Sequence, residues 1–130
     1  IIKSGNYKWA IFADDLWNCT ISKDKRNQIV NVANYLCDES IKVFVNSNHQ
    51  GILMPRENEN GEITSVSFFN YTVGCERKIE FKIRRPAGSK FFFISQEQEK
   101  TELKAVKDKD SVTVCVDKLS AFTVGTICIE

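Results

Sequence analysis

Histidine is almost missing from this sequence, and so are the motifs that would employ it. Only His49 stands among the 130 residues. A general base needs an orienting partner and a nucleophile within reach. The run Asn48-His49-Gln50-Gly51 supplies neither, so His49 reads as a solvated turn residue. The cysteines (Cys19, Cys37, Cys75, Cys115 and Cys128) are odd in number and show no CxxC spacing. That is a poor disulfide framework and a poor zinc site. They read instead as small buried hydrophobes kept as thiols, which leans towards a reducing compartment such as the cytoplasm. There is no Gly-rich phosphate loop and no nucleophile elbow.

Charge of one sign is also lacking. Lys plus Arg number 18 against 17 Asp plus Glu, a net charge of +1. Nothing in that balance calls for nucleic acid or an acidic membrane as a partner. No apolar run approaches the roughly 18 residues of a membrane span. The N-terminal IIKSGNYKW has no signal-peptide pattern. The single methionine is Met54. With no initiator Met, the chain reads as a processed product or, more readily, an excised piece of a longer protein.

What is present is globular. Hydrophobic residues make up 42% of the chain, nine of them Phe. A chain of this length buries roughly two-thirds of its unfolded surface. Tyr7-Lys8-Trp9-Ala10-Ile11-Phe12 reads as a short strand with Trp9 in the core. Ser22 is a candidate N-cap, and Ile29, Val32, Ala33 and Leu36 recur at i, i+3, i+4 and i+7. That spacing predicts one amphipathic helix over about residues 22–37. The remainder reads as strands. Ile79, Phe81 and Ile83 alternate with Glu80, Lys82 and Arg84, and Val112, Val114 and Val116 alternate again. Asn60-Gly61 is a strong hairpin signal. Phe91-Phe92-Phe93-Ile94 reads as a strand covered on both faces, and Thr101 to Val106 as one weaker strand. The pattern predicts a mainly β fold: an antiparallel, immunoglobulin-like β-sandwich with one N-terminal amphipathic helix. Residues 1–37 form a strand–helix segment, the tail of a preceding domain or a lid. Residues 38–130 form the sandwich.

The chemistry-bearing candidates are few. Asp14, Asp15 and Asn18 could suggest a hard-cation site, but their spacing matches no calcium loop. Glu57, Glu59 and Glu62 fall in polar turns rather than flanking a cleft, as paired glycosidase acids would. Asn18-Cys19-Thr20 and Asn70-Tyr71-Thr72 match the N-glycosylation pattern, which short sequences meet often by chance. Aromatic rings can stack on sugars, and Trp17 and Tyr71 are the candidate ligand-binding residues. Packing is the ordinary alternative for Trp17. No catalytic residue, metal ligand or cofactor is expected from the chain itself.

The order of segments resembles a known arrangement. Val66-Ser67-Phe68-Phe69-Asn70-Tyr71-Thr72 resembles the segment that opens the C-terminal β-sandwich of large bacterial glycoside hydrolases of the β-galactosidase type. The run from Ile79 to Arg84, the Pro86-Ala87-Gly88 turn and Phe92-Phe93-Ile94-Ser95 with Glu102-Leu103 are similar to the next strands and turn of that sandwich. So are Val112 to Leu119 and Phe122 to Ile127 to its terminal pair of strands, except that the family more often carries Tyr or Trp at Phe122. Trp9 to Phe12, Trp17 and Lys25 to Asn31 resemble the end of an amidotransferase-like domain that precedes the sandwich. The resemblance implies a non-catalytic, C-terminal accessory domain of a larger carbohydrate-active protein, its catalytic acids lying upstream. Its partners would be neighbouring domains, a glycan, or a second copy in a homo-oligomer. The alternatives are a carbohydrate-binding module using exposed aromatics and an immunoglobulin-like interaction domain.

Overall fold

A computed structural model describes residues 2–5, 7–11, 23–38, 40–45, 49–73 and 78–130. Asp14, Asp15, Trp17, Asn18, Cys19, Ser22 and Cys75 lie outside the described residues. The chain divides into two compact units, Ile1–Ile41 and Lys42–Glu130.

The first unit holds a hairpin and a helix. Strands β1 (Ile2–Ser4) and β2 (Tyr7–Trp9) pair antiparallel, Ile2 opposite Trp9. Gly5, at φ +59°, takes the left-handed turn conformation that a side chain resists. Helix α1 spans Lys23–Leu36, with Asp24 in its first turn, where a carboxylate favours the positive end of the helix dipole. The expected apolar stripe is there, with Ile29, Val32, Ala33 and Leu36 each half-buried. Asp38 closes the helix in the left-handed region, φ 52°. The Lys8 ammonium pairs with the Asp38 carboxylate and donates to the Tyr35 carbonyl at 3.0 Å, tying the hairpin to the negative end of the helix. Trp9 corrects the expectation of a core residue: it is 60% exposed. A three-residue strand gives a ring of that size too little neighbouring surface to cover it. Among the described residues no helix is long and apolar enough to cross a membrane.

The second unit is a β-sandwich, and the chain is mainly β with one helix among its described residues. One sheet has the order β3 (Val43–Val45), β6 (Ile79–Arg84), β10 (Ser111–Val116), β9 (Ala105–Asp108). The other has the order β4 (Gly51–Glu57), β5 (Ile63–Asn70), β11 (Thr123–Ile129), β7 (Phe91–Ser95), β8 (Thr101–Leu103). Every neighbouring pair of strands is antiparallel. The last strand, β11, is therefore the middle of the five-stranded sheet.

Alternation places one set of side chains between the sheets. Ile79, Phe81, Ile83, Val112, Val114 and Val116 come from one sheet. Ile63, Val66, Phe68, Phe91, Phe93, Ile127 and Ile129 come from the other, and together they form one buried cluster. The Phe68 and Phe81 rings meet across the gap edge to face, centroids 5.6 Å apart and planes at 78°. Ile63 and Val66 both point inward although three residues apart. A β-bulge makes this possible: Arg56 faces Ser65 while Glu57 faces Ile63, leaving Thr64 as the extra residue.

Two sequence expectations change here. The Phe91–Ile94 run is not covered on both faces: Phe91 and Phe93 are buried, Phe92 is half-buried and Ile94 is exposed. The Lys100 ammonium sits 4.1 Å from the Phe92 ring centroid and covers part of it. The stretch from Thr101 to Val106 is two strands in different sheets, joined by Lys104 alone. Strand β4 also runs through Pro55, which an edge strand tolerates because the missing N–H need not face a partner.

Gly125 lies at the centre of β11 and faces inward. A Cβ there would meet the Phe93 ring at 2.4 Å and Leu119 at 3.2 Å. Gly125→Val should cost about 1–3 kcal/mol by overpacking, whereas Val124→Thr, on the other face, should stay within about 0.5 kcal/mol. Urea denaturation of the two variants checks the inward and outward assignments.

Candidate functional site

The two sheets differ on their outer faces. On the four-stranded sheet, Phe44, Lys82, Thr113 and Val106 form one cross-strand row. Glu80 lies opposite Cys115 in another. The Arg84 guanidinium sits 5.3 Å from the Phe44 ring centroid, and Lys82 pairs with Asp108 at 3.4 Å. This is a charged face, suited to water.

The five-stranded sheet presents a different surface. Its first row is Ile52, Phe69 and Val124. Its second is Met54, Ser67, Thr126 and Ile94, with the Ser67 and Thr126 hydroxyls 2.9 Å apart. No residue of either row is charged. The third row runs across all five strands as Arg56, Ser65, Cys128, Phe92 and Glu102. Beyond the first row stand Tyr71, 41% exposed, and Phe122, 66% exposed. The Tyr71 ring lies 6.4 Å from Phe69, tilted by 51°. Contiguous exposed apolar surface of this kind commonly marks an interaction site.

One buried side chain organises the Tyr71 end. Asn70 is fully buried, and its amide donates to the Leu119 carbonyl at 2.8 Å. Its side-chain oxygen accepts from the Thr72 N–H at 3.0 Å, and its main-chain carbonyl from the Phe122 N–H at 2.6 Å. The Tyr71 N–H donates to the Gln50 carbonyl at 3.1 Å. Phe122 takes the left-handed conformation, φ 61°, which a bulky residue adopts only where its surroundings impose it. The Asn70-Tyr71-Thr72 glycosylation match is ruled out in the folded chain, because the amide that would carry the sugar is inside the protein.

Tyr71 thus joins an exposed apolar face, while Trp17, the other sequence candidate, lies outside the described residues. Ile52, Met54, Phe69, Val124 and Ile94 escaped the sequence reading. Their signal was consecutive apolar residues within single strands, as in Phe68-Phe69 and Phe93-Ile94, which gives a strand two apolar faces. His49 is half-buried rather than solvated. Among the described residues no three His, Cys, Asp or Glu side chains gather as metal ligands. A cleft of about 290 Å³ lies over Phe93, Leu103 and Val116, with Glu99 and Asp117 among its lining residues. That is the lower limit of ligand-pocket size, and the Asp117 carboxylate is engaged by Lys78 at 3.3 Å.

The cysteines correct another expectation. Of the three cysteines among the described residues, Cys37 and Cys115 are exposed and Cys128 is half-buried. The Cys115 thiol is pushed up from its ordinary range, first by partial desolvation and then by the Glu80 carboxylate opposite it. Asp117 adds to the rise and Lys78 opposes it. Thiolate is the reactive form, so Cys115 should need a higher pH than free cysteine for alkylation. Glu80→Gln should move its iodoacetamide rate profile to lower pH; an unmoved profile would refute the carboxylate's role.

Asn70→Asp retains the acceptor for Thr72 but replaces the donor with a buried charge facing the Leu119 carbonyl. A loss on the order of 3 kcal/mol is expected, measured by chemical denaturation. Compared with protein-family models, curated proteins and solved structures, the chain matches none.

Proposed function

We propose that this chain is a non-catalytic accessory domain of a larger carbohydrate-active protein, and that its work is packing against a macromolecular neighbour. The observation that carries this reading is the outer face of the five-stranded sheet. Two cross-strand rows there, from Ile52 to Val124 and from Met54 to Ile94, hold no charge, while the opposite outer face is lined with Lys82, Arg84 and Glu80. An accessory domain needs one surface for water and one for its neighbour. The segment order from Val66 to Ile127, with its resemblance to glycoside-hydrolase sandwich domains, supplies the carbohydrate-active context. Neighbouring domains would then carry the catalytic acids.

A second reading, a glycan-binding module, draws on Tyr71. Its exposed ring beside Phe69 has the size and apolar character to stack on a pyranose. Trp17 would be its companion. An immunoglobulin-like interaction domain, unrelated to sugars, would use the same outer face.

The isolated chain should release no sugar from aryl glycosides or polysaccharides, and calorimetric titration against a polysaccharide panel should give flat heats. Turnover by the chain would refute the non-catalytic assignment. Saturable binding abolished by Tyr71→Ala would establish the glycan-binding reading in its place.

A further inference from the structure

We propose that a second copy of this chain covers the outer face of the five-stranded sheet, the two sheets stacking about a two-fold axis that runs along β11. The proposal rests on reading that face as a packing surface, and it names the partner.

Strand β11 has two strands on each side, β5 and β4 on one and β7 and β8 on the other. A two-fold axis along it lays five strands over five. It sets β4 over β8 of the partner and β5 over β7. Rotation about an axis parallel to the strands leaves position along them unchanged, so each cross-strand row meets its own copy.

The third row then decides the orientation. It begins with a cation on β4, Arg56, and ends with an anion on β8, Glu102. Both side chains are exposed, and neither has an ion-pair partner among the described residues. The axis along β11 brings Arg56 to the partner's Glu102, and Glu102 to the partner's Arg56. An axis across the strands through the second row would lay the third row over the partner's first, setting Arg56 on the partner's Ile52 and burying its charge unpaired, which disfavours that docking. Val124 and Thr126, on the axis, meet their own copies, and Ser67 lies over the partner's Ile94. Two such sheets pack about 10 Å apart, with their side chains interleaved.

The dimensions suit a dimer. The twelve positions of the three rows, with strands about 4.8 Å and rows about 7 Å apart, give a flat face on the order of 400 Å², to which the exposed Tyr71 and Phe122 rings add. A standard interface takes roughly 800 Å² of accessible surface from each partner.

Sedimentation velocity of the full chain tests this. A dimer is expected at about 100 μM. Val124→Lys should leave a monomer that still unfolds in one cooperative transition, with a melting temperature that no longer rises with protein concentration. Arg56→Glu and Glu102→Arg should each weaken association at least about tenfold, and the double exchange should restore it to within a few-fold. A wild-type monomer at that concentration overturns the proposal and leaves the packing-domain reading to its turnover and titration tests. A dimer that survives Val124→Lys but is lost on Trp9→Ser would belong to the β1–β2 hairpin and would also overturn it. A double exchange as weak as the single ones refutes the two-fold orientation.

Discussion

The contact of Phe68 with Phe81 embodies the constraint on which the second unit depends. Each sheet carries a full apolar lining on its inner face, and neither can leave that lining in water. Closing the two together buries side chains worth roughly 1.5–3 kcal/mol each, and the edge-to-face ring contact adds a geometric preference to that gain. The departures from regularity serve the same closure. The bulge at Thr64 turns Ile63 inward, and the missing side chain at Gly125 leaves room for Phe93. The Pro86-Ala87-Gly88 connection carries the chain from one sheet to the other, and Gly88 lies where a Cβ would strike the Glu130 main chain at 2.3 Å.

Where one strand face is apolar and the other charged, the fold was legible in the sequence. Ile79, Phe81 and Ile83 against Glu80, Lys82 and Arg84 could be read as a half-buried strand, and that is what β6 is. The helix stripe from Ile29 to Leu36 was legible for the same reason. Switches between sheets were not. The chain crosses from β8 to β9 at Lys104 with no glycine or proline to mark the corner, because both strands run on and only their partners change. Apolar runs were ambiguous too. Phe92 and Ile94 point away from the core, yet nothing in Phe91-Phe92-Phe93-Ile94 says whether the second face is covered. For the candidate site, Tyr71 was visible as an aromatic at a strand end. Ile52, Phe69 and Val124 become neighbours only through strand register, which sets Phe69 beside Ile52 and beside Val124, the latter more than fifty positions away.

Asn70 connects the fold to the site. It is the last residue of β5, buried where the sandwich ends, and its hydrogen bonds hold the segments bearing Tyr71 and Phe122. The exposed rings therefore stand on backbone fixed from inside. A surface held in this way loses little conformational freedom when a partner covers it, which favours association. The charged face of the other sheet has no such apparatus; its side chains pair locally across strands, as Lys82 does with Asp108.

The central position of β11 has a consequence for biosynthesis. Strand β5 ends at Asn70, and its neighbour does not begin until Thr123. At ~5–20 residues per second, the intervening stretch takes roughly 3–10 s to translate. Through that interval the β4–β5 hairpin, joined by β7–β8 once residue 103 is made, is part of an unfinished sheet with a hydrogen-bonding edge open. Such edges recruit other strands readily. A nascent chain of this design needs shelter on the ribosome until residue 129 has emerged, and crowded translation would expose it to mispairing before any stability of the finished sandwich could protect it.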